Sequence, residues 1–181
     1  LNISSDEFTK LQKTSDSLFW KNNEAEVKAK YGTTNASDFL LTKMLNETIS
    51  LSSLNNKVVV LDFWANWCSP CKASFPMMKR LIETYKNDND VVFLFIDVWE
   101  GGAPQINLER TKQYMTENKY PFNVLFDINN KVVADYKITG IPTKIVINKQ
   151  GEIINVDENI AMLSDEEVIK NISLFIEAAK K

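Results

Sequence analysis

Residues 58–71 read VVVLDFWANWCSPC, an apolar, β-branched run that leads directly into two cysteines separated by two residues. The run is typical of a buried strand, and the proline two positions after the first cysteine is compatible with the first turn of a helix. Cys68 and Cys71 are the only cysteines among the 181 residues, and the chain contains no histidine. Almost all the chemistry open to this chain therefore depends on these two sulfurs.

The predicted strand-to-helix junction gives the two cysteines different tasks. Two thiols at this spacing can close a disulfide with little backbone movement, and Cys68 then lies beside the unpaired N–H groups of the first helical turn. Their partial positive charge favours the thiolate over the thiol. We therefore expect Cys68 to be the nucleophile and Cys71, further into the helix, to be the resolving thiol.

Two other uses of the cysteine pair are weaker. A zinc site would need two further ligands, and without histidine or a third cysteine only carboxylates or a second chain could supply them. A purely structural disulfide is also disfavoured, because so small a ring removes little entropy from the unfolded chain. We expect a redox-active Cys68–Cys71 disulfide, with no metal and no cofactor.

The composition is that of one soluble globular domain with an extension, since 44% of the residues are hydrophobic and 25% are charged. The net charge of -3, with scattered lysines, gives no reason to expect nucleic acid or an anionic membrane surface as partner. No stretch approaches the roughly 18 to 20 apolar residues that span a bilayer, and no signal-peptide pattern is present. The first residue is leucine, as in a trimmed or mature product, so an anchor or export signal could precede it.

The order of patterns predicts an α/β sandwich with a mixed sheet. Residues 1–36 are predicted to be a helical extension or linker, helical from about 4 to 31 and polar from 32 to 37, and residues 37–181 to be the domain. A hairpin at one sheet edge is predicted from residues 39–41 and 48–51 around an Asn46-Glu47 turn. The apolar runs 58–64 and 91–98 flank a helix over 72–86, which implies a parallel strand pair.

The rest of the domain alternates between helix and strand. We expect Pro76 to break or bend the first helix of the domain. A capping box of Ser164 and Glu167 opens the last helix. The remaining predicted elements are a helix over 105–118, a strand over 123–126, a turn or short helix over 132–136, strands over 144–147 and 153–156, and a final helix over 165–179.

Two segments together resemble the signatures of the thioredoxin superfamily. Residues 62–71, DFWANWCSPC, look like its active-site motif, and residues 140–143, GIPT, look like its loop with a cis-proline. The hairpin and the extra material between about 97 and 136 most resemble the TlpA/ResA-like branch of extracytoplasmic thiol-disulfide oxidoreductases. The resemblance covers residues 37 to the C-terminus. It implies a thioredoxin-like sandwich with a central mixed sheet flanked by helices, an N-terminal hairpin and an inserted helix/strand segment.

The resemblance also implies roles for individual residues. Cys68 would attack a substrate disulfide and Cys71 would resolve the mixed disulfide. Pro142 would be cis and lie against the two sulfurs, while the backbone of Ile141 would pair with the substrate chain as an added strand. The predicted substrate-binding residues are Trp67, Ser69, Pro70, Ile141, Pro142 and Thr143.

Asp62 is the second chemical candidate. A carboxylate among apolar strand residues costs several kcal/mol if it is charged and unpaired, so either its pKa rises or it has a partner. Matched to the buried acid of the family, Asp62 would exchange a proton with Cys71 through water. The alternative is that it points to solvent at the end of the strand. Thioredoxins usually carry a lysine near this acid from the neighbouring strand; residues 91–96 offer none, so we expect Asp62 to be harder to ionise.

The Ser69-Pro70 pair favours a reductant, because oxidising relatives often place a histidine between the cysteines that stabilises the reduced thiolate. We therefore predict a reductase of protein disulfides. The TlpA/ResA-like resemblance implies that it faces an oxidising, extracytoplasmic compartment. It also implies exported proteins, for example apocytochrome c, and a membrane electron donor as partners, with contact to the membrane only through a tether.

Other functions remain open at this point. The alternatives are a disulfide isomerase or oxidase, a peroxide-reducing enzyme, and a non-catalytic binding module. A peroxide-reducing enzyme needs a threonine and an arginine near the thiolate, and the only arginine nearby in sequence is Arg80. The loop 99–104 could border the active site or be a simple connection.

Overall fold

The computed structural model describes residues 18–44, 47–158 and 163–181. Within these residues the strands form one mixed sheet, in which the first two strands of the chain pair with each other and two later strands separate them from the third. The strands are β1 (Leu40–Lys43), β2 (Thr48–Ser50), β3 (Val58–Trp64), β4 (Val91–Asp97), β5 (Val124–Phe126), β6 (Thr143–Ile147) and β7 (Ile153–Asp157). The helices are α1 (Leu18–Tyr31), α2 (Ser69–Tyr85), α3 (Pro104–Glu117), α4 (Lys131–Asp135) and α5 (Asp165–Ala179).

Strand β3 lies inside the sheet, whose order is β2-β1-β5-β4-β3-β6-β7. It pairs in parallel with β4, as predicted, and antiparallel with β6. All its residues are buried, as its apolar run requires. Strand alternation sends Val60 and Trp64 to the core under α2 and α5, and Leu61 and Phe63 to the core that contains residues of α1 and α4.

Helix α2 begins at Ser69, three residues earlier than predicted, because the Cys68 side chain caps it and Pro70 fits its first turn. Of the two predicted effects of Pro76, a break of the helix was wrong, since the helix continues to Tyr85, and a bend stays a prediction. Pro76 removes one helical hydrogen bond but lies on the exposed side. The opposite side packs against the sheet through buried residues that hold the helix together, namely Phe75, Met77, Met78 and Leu81.

The hairpin and the N-terminal segment cover opposite edges of the sheet. Strands β1 and β2 form the predicted hairpin at one edge, although Asn46 of its turn lies outside the described residues. Helix α1 contacts β7 at the other edge and buries Val27 in the core. The predicted linker is held by the start of β7 and the turn before it: Ile153 donates its N–H to Thr34 O at 2.6 Å, and Ala36 donates its N–H to Gly151 O at 2.9 Å. The predicted helix over 4–17 lies outside the described residues, and the boundary at residue 36 stays a prediction.

The other predicted elements are present with small shifts in their ends. Helices α3 and α4 and strand β5 form the inserted segment between β4 and β6. Helix α5 begins at the predicted capping box: Glu167 N–H donates to Ser164 Oγ at 3.4 Å, and Ser164 N–H donates to Glu167 Oε2 at 2.9 Å. None of the helices in the described part of the chain is both long and apolar enough to cross a membrane.

Aromatic rings hold α2 against the sheet directly behind the cysteines. The ring of Phe75 is fully buried, and its centroid lies 5.0 Å from that of Trp64 and 5.1 Å from that of Phe122, both in edge-to-face geometry. The rings of Phe95 and Phe122 stack at 3.9 Å. Such pairs add about 0.5–1.5 kcal/mol to the free energy of burial. The start of α2 is therefore packed against a layer of mutually contacting aromatic rings.

We expect Phe75→Ala to lower the free energy of unfolding by about 3–5 kcal/mol, because it leaves a cavity where several rings meet. Urea unfolding of the oxidised protein measures this change. Ile106→Ala on α3 is the matched control, because its side chain is 60% exposed and its loss should cost about 0.5 kcal/mol or less. Equal effects of the two substitutions would contradict the packing described for α2.

Candidate active site

The two cysteines are bonded to each other at the junction of β3 and α2, with 5.3 Å between their Cα atoms. Cys68 is the N-cap of α2, and its Sγ accepts the N–H of Cys71 at 3.2 Å. Cys68 is 3% exposed and Cys71 is fully buried. The sulfur at the helix N-terminus is thus also the more accessible one, and the N–H that it accepts would stabilise its thiolate after reduction.

The loop that contains Pro142 lies across from these sulfurs. The Ile141–Pro142 peptide bond is cis, as the family resemblance implied, and Ile141 O is 3.9 Å from Cys68 Sγ. The β3–β6 ladder ends at the Phe63–Thr143 pair, so the backbone of Ile141 lies beyond the sheet ladder. Ile141 and Pro142 are both half-buried, so each retains surface that a partner could contact.

Thr143 differs from the other predicted substrate-binding residues because its side chain is fully buried. Its hydroxyl donates to Gly140 O at 2.7 Å, across the loop that contains the cis bond. The side chain therefore braces this loop and has no surface with which to meet a substrate. Ser69 and Pro70, by contrast, are exposed on the first turn of α2.

Trp67 is the most exposed aromatic residue beside the disulfide, at 59%. Its indole N–H donates to Trp99 O at 3.1 Å, and the backbone N–H of Asn66 donates to a carboxylate oxygen of Glu100. The loop 99–104, whose role the sequence left open, thus lies against the segment that leads into Cys68. Its contact through Trp99 O holds the indole of Trp67 in position.

The structure buries Asp62 and gives it a lysine partner. Asp62 is 1% exposed, so the alternative that it points to solvent was wrong. Residues 91–96 on β4 contain no lysine, but Lys144 on β6, the other neighbour of β3, lies opposite Asp62, and its Nζ donates to Asp62 Oδ2 at 2.6 Å. The sequence analysis did not predict this lysine partner.

Burial dominates the electrostatics of Asp62. Loss of hydration raises the pKa of this carboxyl, while the charge and hydrogen bond of Lys144 lower it, so the pKa remains raised overall. Asp62 Oδ1 is buried and has no hydrogen-bond partner among the described residues. Strand alternation puts Asp62 on the same face as Val60 and Trp64, which is the face that α2 covers. The free oxygen therefore belongs to the same layer as the cysteines.

A second buried carboxyl was missed by the sequence analysis. Asp97 at the end of β4 is 2% exposed, and its Oδ2 accepts the hydroxyl of Thr111 at 3.0 Å. Burial, followed by the negative charge of Glu100, raises the pKa of Asp97 to about 8. The amide of Asn66 donates to Thr111 Oγ1 at 2.6 Å and so joins Asp97 to the active-site segment. The available signal was an acid in an apolar run, since Asp97 follows residues 91–96 as Asp62 follows residues 58–61.

The described residues contain no group of three or more Cys, Asp or Glu side chains arranged to hold a metal ion. Both cysteines are bonded to each other, which leaves neither as a thiolate ligand in this state. A disulfide at a helix N-terminus, with an exposed rim around it and a buried carboxyl in the layer beneath, is an arrangement that can carry out thiol-disulfide exchange.

Curated relatives share most of the domain. The chain is 32% identical to the thiol-disulfide oxidoreductase ResA of Bacillus cereus over 119 residues, which are 66% of this chain and 65% of that protein. It is 37% identical to the ResA of Oceanobacillus iheyensis over 123 residues, 65% of this chain and 60% of that protein. The chain thus matches slightly less than two thirds of the length of these relatives.

Solved structures have the same fold. A thiol:disulfide interchange protein of the thioredoxin family from Chlorobium tepidum superposes with a TM-score of 0.66 at 24% identity, covering 82% of this chain and 97% of that one. The exposed lipoprotein thioredoxin of Streptococcus pneumoniae superposes with a TM-score of 0.62 at 25% identity, covering 76% of this chain and 98% of that one. The predicted thioredoxin-like fold is confirmed.

The family model described as the AhpC/TSA family matches residues 33–156, which contain the strand-to-helix cysteine motif and the cis-proline loop. The match also includes the hairpin and the inserted segment, in agreement with the ResA-like resemblance. Because it spans more than half of the chain and agrees with the fold, the chain belongs to the AhpC/TSA family of thioredoxin-like proteins.

Proposed function

We infer that this protein is a thiol-disulfide oxidoreductase that reduces disulfides of other proteins. The observation that carries the proposal is the Cys68–Cys71 disulfide at the N-terminus of α2, with Ile141 O at 3.9 Å from Cys68 Sγ across the cis-proline loop. The names of the ResA relatives support the same chemistry. Cys68 is the nucleophile because its sulfur is the capping atom of the helix and the more exposed of the two.

The reaction starts from the reduced pair. The Cys68 thiolate attacks one sulfur of the substrate disulfide, forms a mixed disulfide and releases the other substrate sulfur as a thiolate, which takes up a proton. Cys71 then loses its proton and attacks Cys68 Sγ, which releases the second substrate thiolate and closes the Cys68–Cys71 disulfide. Two electrons pass to the substrate, so a separate thiol donor must reduce the protein again.

Asp62 is the proton acceptor for Cys71 in the second step. Its unpartnered oxygen lies under α2, and its raised pKa makes it a stronger base than an ordinary carboxylate. Lys144 favours the ionised form of Asp62, since its charge and its hydrogen bond oppose the effect of burial on the pKa of this carboxyl. We treat Lys144 as a positioning residue, because it acts on the reaction through Asp62.

The rim around the disulfide is the proposed substrate surface. Trp67, Ser69 and Pro70 contribute exposed side chains from one side, and Ile141 and Pro142 contribute half-buried surface from the other. An extended substrate chain could pair with the backbone of Ile141, which the β3–β6 ladder leaves unused. The buried Thr143 acts on this surface only by holding the loop.

The proposed direction is reduction, in an extracytoplasmic compartment. Ser69 and Pro70 place no histidine between the cysteines, so the reduced thiolate lacks the extra stabilisation that makes a disulfide strongly oxidising. The structural relative from Streptococcus pneumoniae is described as an exposed lipoprotein, which supports the compartment. Exported proteins such as apocytochrome c are the proposed substrates, and a membrane thiol donor is the proposed source of electrons.

A peroxide-reducing function has less support. Arg80, the arginine nearest to the cysteines in sequence, is nine positions beyond Cys71 on α2, about 13 Å along the helix axis. Its guanidinium is engaged by α5, at 2.7 Å from Glu166 Oε1 and 3.2 Å from Asp165 Oδ2. It does not lie beside the sulfurs, where a peroxide would need it.

The two cysteines should behave differently when each is replaced. With a small disulfide-bonded protein as substrate, reduced Cys71→Ser should accumulate a mixed disulfide through Cys68, because the resolving thiol is missing. Cys68→Ser should form none and lose turnover. Mass spectrometry without reductant measures the adduct. A non-catalytic binding module would instead keep its partner in both variants and show no adduct, and that result would reject the proposal.

The reduction potential of the Cys68–Cys71 pair should be near or below about -230 mV, in the range of reductants. Equilibration in defined thiol buffers, with thiol labelling as readout, measures it. A value above about -150 mV would make the protein an oxidase or isomerase and reverse the proposed direction of electron flow.

Lys144→Met should move the acid limb of the pH profile for mixed-disulfide resolution to higher pH. The substitution removes the cation that lowers the pKa of Asp62, so a higher pH is needed to ionise the carboxyl. Asp62→Asn should slow resolution by about 10²-fold and remove this limb. Rapid-quench kinetics of the resolution step give the profile.

Lys149→Met is the matched control, since Lys149 Nζ lies 2.6 Å from the more exposed Asp90 at the other end of β6. Its pH profile should equal that of the unmodified protein. Asp97 is unchanged in the unmodified protein and in every variant, so its own ionisation affects all the pH profiles equally. If Lys144→Met folds, as judged by circular dichroism, and its acid limb does not move, the proposed role of the ion pair is wrong.

A further inference from the structure

Two carboxyl groups lie together beside the segment that leads into Cys68. Asp97, the last residue of β4, is 2% exposed, and Glu100 follows it in the loop 99–104. The side chains that shift the pKa of Asp97 are those of Glu100 and Thr111, and neither is a cation. Two adjacent carboxylates without a cation between them repel each other strongly in a buried site. One of the two carboxyls is therefore expected to hold a proton.

The hydrogen bonds of Asp97 indicate which oxygen holds the proton. Its Oδ2 accepts the hydroxyl of Thr111 at 3.0 Å. Its Oδ1 is buried and receives no hydrogen bond from the described residues. A proton on Oδ1 converts this unsatisfied acceptor into a donor, and the carboxylate of Glu100 is the acceptor within its reach. Protonated Asp97 thus satisfies both of its oxygens.

Both carboxyls are connected to Asn66, two residues before Cys68. The side-chain amide of Asn66 donates to Thr111 Oγ1 at 2.6 Å, and this hydroxyl donates to Asp97. The backbone N–H of Asn66 donates to the carboxylate of Glu100. Asn66 is therefore held at its side chain through Asp97 and at its backbone through Glu100. We call these contacts the Asp97–Glu100 clamp.

We propose that protonated Asp97 is a positioning residue of the thiol-disulfide exchange reaction. It donates a hydrogen bond from Oδ1 to Glu100, and the two carboxyls together hold Asn66 in place. Trp67 and Cys68, the next two residues, are thereby fixed in the orientation that a substrate disulfide meets. The inference rests on the proposed function, since it assigns a support for the nucleophile of the same reaction.

Loss of the proton opens the clamp. Burial and the negative charge of Glu100 raise the pKa of Asp97 to about 8, so neutral Asp97 predominates at pH 7 and is lost as the pH rises through this value. The two carboxylates then repel each other. Glu100 is half-buried and lines an open cavity of about 240 Å³, which gives its side chain room to turn towards solvent. The N–H of Asn66 then loses its acceptor.

Other charged groups around Asp97 are engaged elsewhere. Those on the surrounding elements are Lys43 of β1, Asp62 of β3, Lys72 of α2, Glu109 and Arg110 of α3, and Asp127 of β5. Lys43 is ion-paired within the hairpin at 3.1 Å, and Lys72 lies over the ring of Tyr114. Both oxygens of Asp127 accept N–H groups of α4. Asp62 is paired on β6, and the two charged residues of α3 are exposed.

Trp67 reports the state of the clamp in the oxidised protein, where neither cysteine can titrate. The chain has no histidine, so few of its groups change charge near pH 8. Protein labelled with 6-fluorotryptophan contains four fluorinated side chains, and Trp67→Phe identifies the signal of Trp67. In fluorine NMR spectra recorded from about pH 6 to about pH 9.5, this signal should shift with a midpoint of about 8.

Three substitutions assign the titration. Asp97→Asn should abolish the shift, because its carboxamide keeps a donor towards Glu100 and an acceptor towards Thr111 at every pH. Glu100→Gln should move the midpoint to lower pH, since it removes the charge that raises the pKa of Asp97, while its amide oxygen still accepts the N–H of Asn66. Glu109→Gln, at an exposed position of α3, is the matched control and should leave the midpoint unchanged.

The clamp should also affect the rate of disulfide reduction. Reduced Asp97→Asn and the reduced unmodified protein are each mixed with the same small disulfide-bonded protein. At about pH 6.5 both hold the clamp, so their second-order rates should agree within about twofold. At about pH 9 only the variant holds it, and the variant should be faster by about threefold or more. A residue that only stabilises the fold would give a ratio that does not change with pH.

Several results would overturn the proposal. These are a Trp67 signal that does not titrate near pH 8, a titration that survives Asp97→Asn, and one that disappears in Asp62→Asn, because the other buried carboxyl would then be its source. A rate ratio independent of pH would reject the positioning role. If Asp97→Asn does not fold, as judged by circular dichroism, a midpoint that Glu100→Gln leaves at about 8 would reject the clamp.

The proposed function fails in a different way. If the unmodified protein reduces no disulfide substrate at any pH, the reductase function is rejected, and with it the purpose of the clamp in catalysis. The fluorine titration of the oxidised protein requires no turnover, so it would still decide whether Asp97 and Glu100 hold Trp67.

Discussion

The site depends on one constraint, the pairing of β3 on both sides within the sheet. Strand β3 is fixed by seven residue pairs to β4 and by five pairs to β6, and every one of its residues is buried. Its last residue therefore has a definite position, and α2 must begin just after it. The sulfurs of Cys68 and Cys71, the carboxyl of Asp62 and the cis-proline loop are all positioned by this pairing.

The buried Asp62–Lys144 pair is a costly feature of this arrangement. Taking two charges out of water costs several kcal/mol per ion, and a single hydrogen-bonded contact at 2.6 Å returns only part of that cost. Asp62 Oδ1 is left without a protein partner in the described structure, which a purely structural ion pair would not require. A carboxyl that must accept and return a proton needs such a free oxygen, and this is the physical link between the fold and the proposed chemistry.

The surface around the disulfide has two sides with different characters. On one side Trp67 is held by the loop 99–104, beneath which Asp97, Thr111 and Asn66 form a buried polar network. On the other side Pro142 of the cis-proline loop borders a mainly apolar groove between α2 and α5, whose lining includes Ala73 and Val168. A substrate that lies across the cysteines would meet a polar, hydrogen-bonded support on one side and an apolar groove on the other. The proposed substrate surface and the two cysteines thus lie next to each other, because the ends of β3, β4 and β6 meet at this edge of the sheet.

Local patterns in the sequence determined much of the molecule. The apolar run before WCSPC predicted β3 and a helix soon after it, Ser164 and Glu167 predicted the start of α5, and the GIPT segment indicated the cis-proline loop, because each of these signals lies within a few neighbouring residues. The burial of Asp62 could also be inferred from its apolar neighbours. Pro76 showed the limit of such signals, because the packing of α2 on the sheet outweighs the local cost of one missing hydrogen bond.

Only the tertiary structure decided which groups meet across the sheet. Lys144 is 82 positions from Asp62 in sequence, and its role follows from the register of β6 on β3, which no local pattern specifies. The same holds for the contact of Glu100 with Asn66 and for the groove formed by α2 and α5. A shift of one residue in the β3–β6 register would turn the lysine to the other face of the sheet and leave Asp62 without its partner. The sequence supplies the reactive groups, and the pairing of distant strands sets their environment, because charge and burial depend on neighbours in space.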